Sequence, residues 1–178
     1  MIKSRSNIVL IGMPGAGKST VGVLLAKRAS LQFVDTDLLI QSREKRSLQD
    51  IVESDGYEFL RRVEEEVLSE VELHNCVIAT GGSAVYSQRG MNHLKSGGLV
   101  VFLQVPLPLL ELRVDDYSTR GLAKRPDQNF TDLFHERTTL YRKYADIALE
   151  NVNQTTRGLL NLKKSVRLHY IVFPRSAL

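Results

Sequence analysis

Asn7-Ile8-Val9-Leu10-Ile11-Gly12-Met13-Pro14-Gly15-Ala16-Gly17-Lys18-Ser19-Thr20 is the stretch that decides the fold class. Its first five residues form a continuous apolar run, the pattern of a parallel strand buried on both faces. From Lys18 to Ala29 the apolar residues Val21, Leu24 and Leu25 return at helical spacing, so a helix follows. Between them, Gly12 to Ser19 fits G-x-x-x-x-G-K-[ST]. Glycines let such a turn curl until successive backbone N–H groups face inward, and the positive end of the next helix adds to the field. The result is a cradle for phosphate oxygens. Lys18 is placed to reach the β- and γ-phosphates of ATP, and Ser19 to give its hydroxyl to the Mg²⁺ that bridges them. Gly12, Pro14, Gly15, Ala16, Gly17 and Thr20 complete the expected nucleotide-binding set. The motif speaks for nucleotide binding more directly than for turnover, because switches and motors share it. The chain has no N-K-x-D base-reading sequence of the GTPase kind and is too short for an elaborate motor.

Outward from this stretch, strand and helix alternate. Gln32–Asp35 (QFVD), Cys76–Ala79 (CVIA), Gly98–Leu103 (GLVVFL) and Ala145–Leu149 read as strands. Helices are expected at Ser47–Val52, Tyr57–Leu73, Pro106–Val114, Phe130–Tyr144 and Thr155–Lys164. The third of these opens on Pro106 and Pro108, which a first helical turn tolerates. Asp115 to Asn129 is polar, basic and punctuated by Gly121 and Pro126, so a mobile loop is expected there. Alternation of this kind predicts an α/β fold with a mainly parallel sheet. The strand-like Leu168–Pro174 (LHYIVFP) has no place in that scheme.

At 178 residues and 43% apolar content, the chain is sized for one domain with one substantial core. Its basic pI is concentrated in the tail: residues 151 to 178 carry five basic and no acidic side chains, leaving 19 basic against 20 acidic in residues 1 to 150. Five dispersed charges without interleaved aromatics make a solvated face rather than a single-strand nucleic-acid platform. No nucleic-acid partner is expected. Neither a signal-like leader nor a run of about 18 apolar residues occurs, so no membrane association and a cytoplasmic location are expected. The single Cys76 reads as a buried structural thiol, and His74, His93, His135 and His169 lack metal-ligand spacing.

Further along, Asp35-Thr36-Asp37 ends the second strand, and Gly56-x4-Arg61-x2-Glu64, Gly81-Gly82, Arg125-Pro126 and Arg137-x2-Leu140-Tyr141 follow in order. With the phosphate loop, these motifs make residues 7 to 150 resemble the shikimate kinase family. The resemblance implies a three-layer α/β/α P-loop kinase fold with a five-stranded parallel sheet and a mobile lid. It makes residues 1–165 one kinase domain, with a lid near 115–129 and residues 166–178 an extension of unknown role. It further implies a compact monomer that transfers the γ-phosphate of ATP to shikimate, a step of the pathway to aromatic amino acids.

Carried over, the resemblance implies that Asp37 bonds the acceptor hydroxyl, Arg61 and Arg137 hold the acceptor carboxylate, and Gly81 and Gly82 let the backbone approach the ring. Asp35 would assist Mg²⁺ beside Ser19, and Arg125 would close over the γ-phosphate. The residue types suit those tasks. Two planar guanidinium forks match a carboxylate, and one carboxylate beside a hydroxyl orients it or takes its proton. Structural alternatives exist for each: an exposed ion-pair face for Arg61 with Glu64, Glu65 and Glu66, pairing of Arg137 with Asp132 or Glu136, and helix capping for Asp35 and Asp37. The chain departs from the family at Ser83 for a third glycine, Asp127-Gln128 for two leucines, Thr139 for a proline, and Tyr57 and Leu60 near Arg61. Those departures lie on the acceptor and lid side, so a related acceptor such as homoserine, or a non-catalytic nucleotide-binding regulator, are the competing readings.

Overall fold

The computed structural model describes residues 5–113 and 121–151. Five strands form one parallel sheet: β1 (Asn7–Ile11), β2 (Gln32–Asp35), β3 (Cys76–Ala79), β4 (Gly98–Gln104) and β5 (Ile147–Glu150), in the order β2-β3-β1-β4-β5. β1 is central, pairing Ile8 with Val77 on one side and with Leu99 on the other. The apolar runs explain that placement: every residue of β1 and β3 is buried, as a strand covered by helices on both faces requires. β2 and β5 sit at the edges and are only partly buried.

Helices α1 (Lys18–Ala29), α2 (Thr36–Glu44), α3 (Leu48–Glu70), α4 (Gln88–Gly97), α5 (Leu107–Arg113) and α6 (Phe130–Tyr144) connect and cover the strands. The main core joins β1, β3 and β4 to Leu25, Leu68, Met91, Leu133 and Tyr141, whose ring stacks on Phe102 at 5.1 Å. A second cluster, with Ile40, Ile51, Leu60, Val63 and Ala123, lies between α2, α3 and the segment after residue 120. Among the described residues no helix is long and apolar enough to cross a membrane.

Several expectations shift. The helices expected at 47–52 and 57–73 form one rod, α3, bent at Gly56, whose φ of 84° and ψ of 166° are not helical. α4 was not legible, because QRGMNHLKSG offers only Met91 and Leu94 as apolar anchors and begins and ends near glycine. Its start is nevertheless capped by Ser87, whose hydroxyl accepts from the Gly90 N–H. The loop expected at 115–129 is described from Gly121 onward, where it is docked rather than free: Ala123 and Gln128 are buried. Its earlier part, the helix expected at 155–164, the strand-like 168–174 and the 166–178 extension lie outside the described residues. Cys76 is buried and unpaired, as expected.

Candidate active site

The strand-to-helix turn after β1 builds the first half of the site. Gly15 and Gly17 hold φ of 80° and 83°, a left-handed conformation that glycine adopts without strain, and Gly17 caps the start of α1. Lys18 folds back across the turn, donating to the carbonyls of Gly12 at 2.8 Å and Met13 at 3.0 Å. Burial draws its ammonium down to about 8, against the opposing pull of Asp37. A phosphate would replace those carbonyls with a charged partner.

β2 runs parallel to β3 and ends beside the turn, which brings Asp35 to α1. The Ser19 hydroxyl donates to Asp35 Oδ2 at 2.6 Å, and Asp35 Oδ1 accepts from the Asp37 N–H at 3.0 Å. Asp35 therefore caps α2 and also stands at the phosphate end of the site. One hydroxyl and one carboxylate suit Mg²⁺, a hard ion that takes few protein oxygens and completes its shell with phosphates and water. Among the described residues no cluster of three or more acidic, His or Cys ligands exists.

Asp37, two residues on, lines a cavity of about 430 Å³ together with Lys18, Gly81, Gly82 and Arg137. That volume suits a small ligand. Burial, then the charge of Asp35, pushes the Asp37 carboxyl up to about 6, with Lys18 opposing. Pro14, Gly15, Gly17, Ser19 and Thr20 form the phosphate end of the same cavity, whereas Gly12 and Ala16 shape the turn from behind.

α3 and α6 bring two arginines together beside this cavity. Arg137 is 1% exposed, and its Nη2 donates to the Ala123 carbonyl at 3.0 Å. Arg61 Nη2 donates to the same oxygen at 2.9 Å while its guanidinium lies 3.6 Å from the centre of the Tyr86 ring. Burial lowers the Arg61 pKa, and the neighbouring Arg137 adds to the effect. Among the described residues, no carboxylate lies within 4 Å of either guanidinium; the acids near Arg61 have gone elsewhere, Glu65 to Ser87 and Glu66 to Arg43. Arg137 does not pair with Asp132 or Glu136 either. Both ion-pair alternatives fail.

Tyr141 donates to the Gly82 carbonyl at 2.6 Å and so fixes the turn after β3 against α6. That turn is tight: a Cβ at Gly82 would sit 2.9 Å from Arg137 Nη1 and from Pro14 Cδ. Arg125, like Arg61, does not line the cavity. It is half-exposed and faces Glu136 at 3.7 Å, where Gln128 and Tyr86 also bind. Thr139 is exposed on α6 and touches no part of the pocket. Leu60 belongs to the second apolar cluster and Tyr57 lies 5.1 Å from Arg61, so both keep supporting roles.

Two groups at the cavity were given no role from the sequence, Glu64 appearing there only as a motif residue. Glu64 is 2% exposed at the acceptor end, and Arg113 lines the cavity with Nη1 3.5 Å from the Gly15 carbonyl. Glu64 had a usable signal, one helical turn after Arg61; Arg113 had none.

A phosphate loop, two arginines that share one carbonyl acceptor and a buried acid, gathered in one region, define a small-molecule phosphotransferase of the P-loop class. A profile described as shikimate kinase matches residues 14–166. The shikimate kinase of Aquifex aeolicus (strain VF5) is 40% identical over 144 residues, covering 80% of this chain and 85% of that protein. That of Clostridium botulinum (strain Eklund 17B / Type B) is 36% identical, covering 91% and 98%. Shikimate kinase from Acinetobacter baumannii, solved in complex with shikimate, superposes with a TM-score of 0.85 at 30% identity over 95% of this chain and 97% of that one. The chain belongs to the shikimate kinase family: it is an ATP-dependent phosphotransferase with an alcohol acceptor.

Proposed function

We propose that the chain transfers the γ-phosphate of ATP to the 3-hydroxyl of shikimate, with the acceptor seated between Asp37 and the two arginines. One observation carries this reading: Arg61 and Arg137 converge on a single oxygen, that of Ala123, which lines the same cavity as Lys18 and Asp37. An oxygen held by two guanidinium groups marks where a carboxylate fits, because each fork supplies charge-assisted donors in a plane. The family membership and the shikimate-bound relative support the same acceptor over homoserine. The departures that favoured another acceptor weaken accordingly, since Thr139 faces solvent and Ser83 keeps an ordinary backbone, with φ of −93°.

In this reading Asp37 receives the acceptor hydroxyl and orients it toward the γ-phosphate, taking up its proton as the bond to phosphorus forms. Lys18 and the backbone of the loop spread the charge of the transferring group, and Arg125 swings from Glu136 to add a second cation. Mg²⁺, where bound, is held by Ser19 with Asp35 beside it and neutralises the phosphate oxygens. Positioning and fixed cations suffice because phosphoryl transfer needs little covalent help.

The test is ADP release with ATP and Mg²⁺ against shikimate, homoserine, gluconate and water. Strong turnover with shikimate alone is expected. Turnover with homoserine or gluconate but not shikimate would refute the acceptor assignment, and none with any acceptor would return the regulator reading.

A further inference from the structure

Glu64 is the most enclosed carboxylate of the site. It leaves α3 one turn after Arg61, is 2% exposed, and among the described residues has no Lys or Arg nitrogen within 4 Å. Its Oε2 accepts the Ser83 hydroxyl, while Oε1 is buried with no hydrogen-bond partner. Oε1 points to the acceptor end of the cavity: a Cβ built on Gly81 would collide with Glu64 Oε1 and Asp37 Oδ1 together, so the two carboxylates flank one small space. Ser83 has φ of −93° and ψ of −5°, backbone that any residue adopts, and is 8% exposed. What distinguishes serine from the family's glycine here is therefore the hydroxyl and its single bond to Glu64.

We propose that Ser83 is a positioning residue of the acceptor pocket: its hydroxyl holds Glu64 by Oε2 and so presents Oε1, unshared, to the acceptor beside Asp37. The inference rests on the acceptor placement given above. Its consequence is a dependence on pH. Burial pushes the Glu64 carboxyl up to about 7; the Ser83 hydrogen bond draws it down, Asp37 pushes it up, and Arg137 and Arg61 draw it down. Lys18 from α1 and Tyr141 from α6 face it as well. With a donor on Oε2 the carboxylate is favoured over the acid. Without that donor the carboxylate is lost at a higher pH, and Oε1 is free to rotate away.

The experiment measures kcat and KM for shikimate and for ATP between pH 5.5 and 9 in the wild type, Ser83→Ala, Glu64→Gln and the double variant. Ser83→Ala is expected to move the acid limb of kcat/KM for shikimate upward by roughly half to one pH unit, the effect of one ordinary hydrogen bond. It should also raise the shikimate KM several-fold at pH 7 while the ATP KM stays within about twofold. In the Glu64→Gln background the same serine change should leave the profile where it is, because Ser83 acts through that carboxylate. Superimposable profiles for wild type and Ser83→Ala overturn the proposal, as does an equal shift in both backgrounds. Ser83→Gly provides the same comparison if the alanine variant folds poorly. Arg137→Met, run alongside, separates the two readings: if it leaves the shikimate KM unchanged, the acceptor placement itself is wrong; if it raises that KM while Ser83→Ala changes nothing, only the role of Ser83 fails.

Discussion

Replacing Arg137 with methionine should stabilise the ligand-free protein and at the same time cripple it for shikimate. Arg137 is 1% exposed, its Nε has no partner, and among the described residues no carboxylate lies within 4 Å of it. A second guanidinium, Arg61, shares its one carbonyl acceptor. A buried charge in that state is a liability, and exchange of buried ions for apolar residues of similar volume stabilises by roughly 1–3 kcal/mol. For a chain of this length that is a rise in melting temperature of about 3–10 °C. Against this, the acceptor carboxylate loses one of two forks. Charge-assisted hydrogen bonds contribute about 1.5–3 kcal/mol each, so losing two lowers kcat/KM for shikimate by roughly 10²- to 10⁴-fold. Thermal melting with and without shikimate, beside steady-state kinetics in both substrates, reads all of this. Shikimate should raise the melting point of the wild type and not of the variant. A variant that melts lower and loses ATP and shikimate affinity equally would show that Arg137 serves the fold, and the clamp would be refuted.

Lys18→Ala should lower kcat by about 10³-fold or more, since it removes the cation that meets the transferring phosphate; near-normal ADP release would sink the phosphate-loop mechanism. Asp37→Asn should lower kcat by about 10²- to 10⁴-fold with little change in the ATP KM. Because burial and Asp35 push the Asp37 carboxyl up to about 6, wild-type kcat should fall as pH drops through 6, and the asparagine variant should lose that limb. Glu64 bears on stability. Its folded pKa, about 7, is above the unfolded value, so its contribution is full below about 4.5 and is lost as pH rises through 7. Glu64→Gln should accordingly melt above the wild type at pH 8, with the gap narrowing toward pH 5. Removal of Mg²⁺ with a chelator should stop turnover, and Ser19→Ala should raise the Mg²⁺ concentration needed for half-maximal rate by several-fold; an unchanged requirement would remove Ser19 from the metal site.

How far the sequence could be read follows from what each part depends on. The phosphate turn was legible because strand, glycines, lysine and helix are neighbours in the chain, and the apolar runs of β1, β3 and β4 identified strands covered on both faces. The acceptor end was legible only as motifs. Arg61 and Arg137 stand 76 positions apart, and the sequence leaves surface ion pairing open for both; in the structure they share the Ala123 carbonyl instead. Helix α4 escaped because its buried stripe is short, Gly90, Met91 and Leu94, and begins on a glycine, while its start rests on the Ser87 cap. Arg113 escaped because position on the rim of a cavity leaves no periodic trace. The bond between Ser83 and Glu64 joins residues 19 apart through the turn after β3, which no local pattern reports.

The unmatched charges of this protein are not scattered. Among the described residues, the charged side chains with a buried atom left without a partner are Arg61, Glu64 and Arg137; Glu64 and Arg137 line one cavity, and Arg61 shares the Ala123 carbonyl with Arg137. There too, burial displaces Lys18, Asp37 and Glu64 toward their neutral forms. Away from the cavity the same residue types are satisfied: Glu65 receives Ser87, Glu66 and Glu70 receive Arg43, and Asp55 receives Arg46. Such a pattern suits ligand complementarity: in the proposed reading a carboxylate completes the arginines, hydroxyls complete the acids, and phosphates complete the lysine. It follows that stability and activity oppose one another at this cavity. Methionine at 137 and glutamine at 64 relieve the ligand-free protein and harm the reaction, whereas truncating Leu10 in the buried sheet, at a cost of about 2–5 kcal/mol, weakens the fold and leaves the preference for shikimate intact.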